Sequence, residues 1–149
     1  MTEEAVDAFW NRFVSATGID GPYEAWAFGD DSRPELATQL ALLVRDGPKR
    51  ATAGLAAEYQ QDNEPPPQVG DMSVILDGSG TPVCVIRTTE VRTTRLGDVD
   101  EAFAWDEGEG DRSLAWWKDA HIRFFADLGF TIDDDSEMML ERFELLWSG

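Results

Sequence analysis

The sequence predicts an α+β fold, with several strands in a small β-barrel or curled mixed sheet flanked by helices. Three observations predict it. Apolar residues recur at helical spacing in the stretches 3–15, 32–46 and 114–128. Two apolar runs, Met72–Leu76 and Val83–Thr89, flank the turn residues Asp77-Gly78-Ser79-Gly80, which is a hairpin signal. The segment Met138–Trp147 alternates as a last strand does.

Each element has its own reason. Glu3 to about Ser15 reads as a helix with Ala5, Phe9 and Phe13 on one face, and Trp10 and Val14 beside it. Glu3 and Glu4 suit the positive end of its dipole. Gly18 to Asp30 reads as a loop holding Tyr23, Trp26 and Phe28. Ser32 opens a second helix through a capping box with Glu35. Leu36, Leu40, Leu43 and Val44 form its buried stripe. Gly47-Pro48 ends it, since glycine permits a left-handed turn and proline cannot continue the ladder. A short helix is expected over Ala51 to about Gln60, then a stiff Pro65-Pro66-Pro67 connector. A strand over Val91–Leu96 and a short helix over Val99–Trp105 follow. The last helix carries Leu114, Trp117, His121, Phe124 and Leu128. No repeat and no linker divides the chain, so one domain over 1–149 is expected.

Composition narrows the function. At 149 residues, a chain buries about 70% of its unfolded surface, enough for a core without staples. Hydrophobic residues at 42% and aromatics at 11% exclude a disordered chain. No apolar run approaches the ~20 residues that span a bilayer, and the acidic start MTEEAVDAFW is unlike a basic leader. With Cys84 alone no internal disulfide can form, so a cytoplasmic location is expected. Thirty acidic residues against twelve basic ones leave a net charge of -18, which repels duplex DNA and anionic membranes. The basic residues are grouped: Arg45, Lys49 and Arg50; Arg87, Arg92 and Arg95; Arg112, Lys118 and Arg123. Such groups serve either as surface counter-charges or as a small positive pocket.

The inventory also removes mechanisms. His121 is the only histidine, so a two-histidine metal site is impossible. Cys84 sits in the apolar run Val83-Cys84-Val85-Ile86, where a thiol is inert packing. The string Asp106-Glu107-Gly108-Glu109-Gly110-Asp111 has glycines where a calcium loop needs ligands, and Asp133-Asp134-Asp135 reads as a solvated turn. No metal and no cofactor are expected.

Lys49 is one of two lysines, and it lies in Gly47-Pro48-Lys49-Arg50-Ala51-Thr52. A helical turn after Pro48 would place Lys49 and Thr52 on one side, with free amides and two cations forming a positive nest. An ammonium beside a hydroxyl activates a nucleophile when burial lowers the lysine pKa. The alternative is an exposed loop with a helix-capping Thr52.

Gly47-x-Lys49-x-x-Thr52 resembles the G-x-K-x-x-T signature of the ASCH domain, a PUA-like β-barrel family related to RNA-binding domains. Further blocks resemble its longer bacterial branch in the same order: Glu24 to Asp30, Val69-Gly70-Asp71, Val83 to Ile86, and Glu107 to Leu114. They span roughly residues 24–147. The resemblance implies RNA binding, or in one branch an amidohydrolase that removes acyl groups from acylated cytidine through lysine, threonine and a downstream glutamate. A longer branch is linked to ribonuclease activity that depends on the same lysine. Carried across, the residues are Lys49, Thr52 and Glu109, with Glu107 the competing carboxylate.

Amide hydrolysis needs a nucleophile, a proton shuttle and an oxyanion stabiliser. Here Thr52 would attack, Lys49 would deprotonate it, and Glu109 would carry the proton to the leaving amine. Amides after Gly47-Pro48, or at the helix starting near Ser113, would hold the oxyanion. For RNA cleavage, Lys49, Arg50 and Arg112 would supply cations, while His121 reads as packing or surface on its helix face. Trp26 and Tyr59 would line the base pocket. Because a long RNA would cross mostly acidic surface, the expected partner is a nucleoside-like ligand or short single-stranded RNA, and the chain a monomer or homodimer.

Overall fold

The computed structural model describes residues 2–30 and 32–149, with Thr2 described in its backbone only. The chain order is α1 Thr2–Thr17, β1 Glu24–Ala27, α2 Pro34–Asp46, β2 Ala51–Leu55, α3 Ala56–Gln61, β3 Met72–Leu76, β4 Pro82–Arg95, α4 Glu101–Glu107, α5 Leu114–Asp127 and β5 Glu137–Trp147. A 3-10 turn, Leu96–Asp98, follows β4. The strands form one five-stranded sheet in the order β1-β3-β4-β5-β2, so the fold is the expected α+β type. Among the described residues, no helix is long and apolar enough to cross a membrane.

The residues group into two compact units. One holds residues 1–48, 69–89 and 143–149; the other holds 49–68 and 90–142. Each is assembled from separated stretches of chain, so no linker in the sequence marks them.

In the first unit, β1 pairs in parallel with β3, and β3 pairs antiparallel with β4. The hairpin turn is closed by Asp77, whose carboxylate accepts from the amides of Ser79 and Thr81 at 2.9 and 3.0 Å. Two apolar clusters fill the unit. Val6, Phe9, Trp10 and Phe13 of α1 pack with Val74 and Val85, while Leu40, Ala41 and Val44 of α2 pack with Phe28, Ile75, Cys84 and Ile86.

Several expectations need correction here. Ala5 is exposed and Val6 is buried in its place. The stretch read as loop contains β1, whose four residues are too few to show alternation and are held by pairing with β3. The Ser32–Glu35 capping box does not form. Pro34 occupies the first helical position after an Arg33 cap without a side-chain bond, and Ser32 hydrogen-bonds Asp30 instead. Gly47 is extended, with φ −127°, and not left-handed. It is small for another reason: a Cβ there would lie 2.9 Å from the Leu43 carbonyl oxygen.

In the second unit, β2 pairs antiparallel with the first part of β5, matching Ala51 with Arg142 and Thr52 with Glu141. The helix expected over Ala51–Gln60 is therefore a strand followed by α3. Its Ala, Thr and Gly residues carry weak local preference, and pairing with β5 decides their state. The expected strand over Val91–Leu96 is the continuation of β4. Asp100 caps α4 by accepting from Phe103 N at 2.9 Å, which starts that helix later than the sequence implies. Ser113 caps α5 by accepting from Trp116 N at 3.1 Å. Ala51, Leu55, Phe103, Trp117, Phe125, Met138 and Leu140 form the core of this unit.

Candidate functional site

The second unit buries charge within its apolar core, and the burial begins at Lys49. The Arg50 amide donates to the Asp106 carbonyl at 2.7 Å, tying the segment before β2 to the end of α4. Asp106 is held again through its side chain by Arg142, at 2.9 Å. Arg142 also bonds Glu90 at 2.5 Å and lies 5.2 Å over the Phe103 ring. This frame sends the Lys49 side chain inward, where it is fully buried. Its ammonium donates to Ala51 O and to Glu109 Oε2, both at 2.8 Å, and to the Glu107 carbonyl at 3.4 Å. Glu107 Oε1 lies 3.7 Å away.

Glycines shape the loop that brings both carboxylates to the lysine. Gly108 ends α4 at φ +72°, a conformation that costs an L residue about 1 kcal/mol or more. Gly110 sits at φ +59°, and a Cβ on it would fall 2.3 Å from the Trp116 ring. Trp116 thus lies against the loop backbone where only glycine fits. Arg112 is also left-handed, at φ +66°. Its guanidinium covers the Trp105 ring at 3.6 Å and donates twice to the Trp105 carbonyl, at 2.9 and 2.7 Å. The Glu109 side chain remains 18% exposed, whereas that of Glu107 is 1% exposed.

The fourth member is His121, one turn beyond Trp117 on α5. Its ring stacks on the Trp117 ring at 4.1 Å, and Nδ1 lies 2.8 Å from the Trp117 carbonyl. A carbonyl only accepts, so Nδ1 carries a proton, and in the neutral ring that burial favours Nε2 then presents a bare lone pair. That nitrogen is 3.5 Å from Glu107 Oε2. The Trp117 indole N–H is also beside Glu107, but neither it nor Glu107 Oε2 makes a hydrogen bond of good geometry among the described residues.

The two carboxyls titrate in opposite directions. Burial pushes Glu107 well above the usual carboxylate range; Lys49 opposes this, and the neighbouring Glu109 adds to it. Burial also pushes Glu109 upward, but the Lys49 ammonium and hydrogen bonds from Glu107 and Lys49 outweigh it and hold that carboxyl low. Burial lowers the His121 pKa despite its Trp117 carbonyl partner and the Glu109 charge, favouring the neutral ring. The arrangement can therefore hold one cation, one anion and two neutral proton-bearing groups.

The other residues singled out in the sequence fall elsewhere. Thr52 is not on a helical turn with Lys49. Strand alternation sets Ala51 and Ala53 toward the core of the unit, and Thr52 and Gly54 on the opposite face of β2 beside Glu141 and Met139. Tyr59 lies on that same face, where a Gly54 Cβ would meet its ring at 2.8 Å. Its hydroxyl is pushed up to about 12 by burial and by Glu141. Arg50 donates to the Lys49 carbonyl at 2.6 Å. Ser113 serves as helix cap, and its amide donates to Asp111 at 2.8 Å. Trp26 belongs to the first unit, packed edge-on to Phe28 at 4.9 Å. Sequence reasoning left out Trp117, Asp106 and Arg142, and read His121 as packing or surface. The available signal was the Trp117–His121 spacing of four, which stacks two rings on one helix face.

A family model of the ASCH domain matches residues 24–147. The chain belongs to the ASCH domain family. It is similar to the ASCH domain of Lactobacillus crispatus JV V101, at 34% identity over 97% of this chain and 95% of that one, with a TM-score of 0.85. A protein of Enterococcus faecalis V583 is similar at 32% identity over 97% and 90% of the two chains, with a TM-score of 0.84. No curated protein sequence matches the chain. As an ASCH domain it has the PUA-like fold, and its Gly47-x-Lys49-x-x-Thr52 segment runs from the end of α2 into β2. Among the described residues, no group of three or more His, Cys, Asp and Glu side chains could hold a metal ion.

Proposed function

We propose that this ASCH domain is a metal-independent hydrolase of a nucleoside-type ligand, removing an acyl group from the exocyclic amine of a modified cytidine. The observation that carries the reading is the Lys49–Glu109 ion pair at 2.8 Å, in which the lysine is buried and the carboxylate is partly open to solvent. A carboxylate that stays ionised and reaches solvent is free to accept a proton from a group bound beside it. Glu109 takes the proton from the attacking hydroxyl and returns it to the departing amine, while the acyl carbon gains oxygen and loses nitrogen. The attacking group is a water; attack by the Thr52 hydroxyl, which lies on the other face of β2, would leave an acyl ester that a second, water-driven step must hydrolyse. Lys49, whose ammonium already gives its hydrogen bonds to Ala51, Glu107 and Glu109, holds the base in place instead of deprotonating Thr52.

A small ligand is favoured over RNA because each phosphate of an RNA requires a cation, whereas thirty acidic residues face twelve basic ones in this chain. The test is product release from acylated cytidine and from short single-stranded RNA, with chelator present, and with Lys49→Ala and Thr52→Ala beside the wild type. Release of cytidine, lost in Lys49→Ala, is expected. Turnover retained in Thr52→Ala assigns the attack to water, and its loss assigns Thr52. Cleavage of RNA alone, or binding without product, overturns the hydrolase reading.

A further inference from the structure

Two buried carboxyls share one ammonium in the second unit, and that imbalance needs a resolution. Lys49 lies 2.8 Å from Glu109 and 3.7 Å from Glu107, and the Glu107 side chain is 1% exposed. Burial strips a second anion of its hydration, and a lysine already bonded to Glu109 offers Glu107 only the longer contact, which does not recover that cost. Of the two, Glu109 has the shorter contact and the solvent, so it is the one that ionises. Glu107 Oε2 makes no hydrogen bond among the described residues, while the bare Nε2 of His121 stands 3.5 Å from it. In the neutral ring that burial favours, Nε2 can only accept, because the single ring proton is on Nδ1 and committed to the Trp117 carbonyl. An ionised Glu107 would set two acceptors against each other; a protonated one gives the histidine a donor.

We propose that Glu107 is a standing carboxylic acid, its proton on Oε2 and directed to Nε2 of His121, and that it acts as a positioning residue that leaves Glu109 the single charged base of the site. The groups facing Glu107 are Lys49 from the segment before β2, Glu109 from the loop after α4, and His121 with Trp117 from α5. Asp106, its neighbour on α4, is turned to Arg142 of β5. The role explains why the loop carries two glutamates two residues apart: one reacts, and the other is kept neutral so that the lysine is shared with no second anion. The catalytic part of this assignment rests on the hydrolase reading; the protonation state does not.

The experiment is infrared difference spectroscopy of the full chain at neutral pH, without substrate, on wild type, Glu107→Gln and Glu109→Gln. Glutamine keeps the shape of the neutral acid, so the fold is retained. A buried carboxylic-acid carbonyl band in wild type, lost in Glu107→Gln and kept in Glu109→Gln, is expected. Its absence from wild type, or its loss in Glu109→Gln alone, overturns the proposal. Because His121 is the only histidine, one imidazole nitrogen spectrum reads its state directly. A neutral Nδ1-protonated ring at neutral pH is expected, and a doubly protonated ring overturns the proposal. Both spectra are read without turnover, so a failed cytidine assay counts against the hydrolase reading alone. With turnover in hand, the alkaline limb of its pH profile moves upward in Glu107→Gln; an unmoved limb overturns the positioning role.

Discussion

The two units bury their polar groups differently. The first unit has aromatic and aliphatic clusters around α1 and α2, with Ser73 and Thr88 the only buried polar residues among those described. The second has a comparable apolar core and yet buries Lys49, Glu107 and Glu141. The ion pairs of the first unit, such as Arg87–Glu144 and Arg45–Asp46, are solvent-exposed and contribute little to stability. Buried charge, by contrast, costs several kcal/mol per ion before pairing recovers it. A fold that could have been filled with leucine in both units carries that cost in only one. The difference teaches that an apolar core of similar make-up can be closed by packing alone or around a buried ion pair.

The largest way to break this contrast is Lys49→Ala, which strands the Glu109 carboxylate without its cation. A loss of about 3–5 kcal/mol is expected, as for other buried pairs cut on one side, read as a lowered urea midpoint. An equal loss from Phe13→Ala in the first unit would show that packing alone can match it. A change below about 1 kcal/mol for Lys49→Ala would deny the pair its structural weight.

Gly110→Ala comes next. Its new Cβ meets the Trp116 ring at 2.3 Å and needs a left-handed backbone. A destabilisation of about 1–3 kcal/mol is expected, together with loss of the fixed Glu109 position, read as weaker turnover at unchanged secondary structure.

Acid sharpens the contrast between the two glutamates. Glu109 is held below its unfolded pKa, so it contributes stability above the usual carboxylate range that is lost as pH falls through its folded value. Glu107 is raised, so it costs stability progressively as pH rises from the usual range toward its folded value. Denaturation from pH 5 to 8 should therefore show Glu107→Gln gaining on wild type as pH rises, while Glu109→Gln stays a constant amount behind it and closes the gap only as pH falls below the usual carboxylate range. Parallel curves for the two variants would contradict opposite protonation.

The smallest effect is at the helix caps. Asp100→Ala and Ser113→Ala each remove a side-chain acceptor from a helix start in the second unit, for an expected ~1 kcal/mol apiece. No loss in either would mean that tertiary packing alone starts α4 and α5.

The sequence alone determined the elements whose cause is local. Periodic apolar stripes marked α1, α2 and α5, the Asp77–Gly80 turn set the hairpin, and the Gly47-to-Thr52 signature with its companion blocks pointed to the family and to Lys49. Lys49 and Glu109 were named as partners from that resemblance alone, and they meet at 2.8 Å across 60 positions of chain. Only tertiary structure decided what depends on distant partners. β1 and β2 are strands because β3 and β5 pair with them. Thr52 left the Lys49 side because an extended chain alternates faces where a helical turn would not. The two competing glutamates both approach the lysine, Glu109 at 2.8 Å and Glu107 at 3.7 Å. Burial then set them apart, and burial is a property of the surrounding fold that no short stretch of sequence contains.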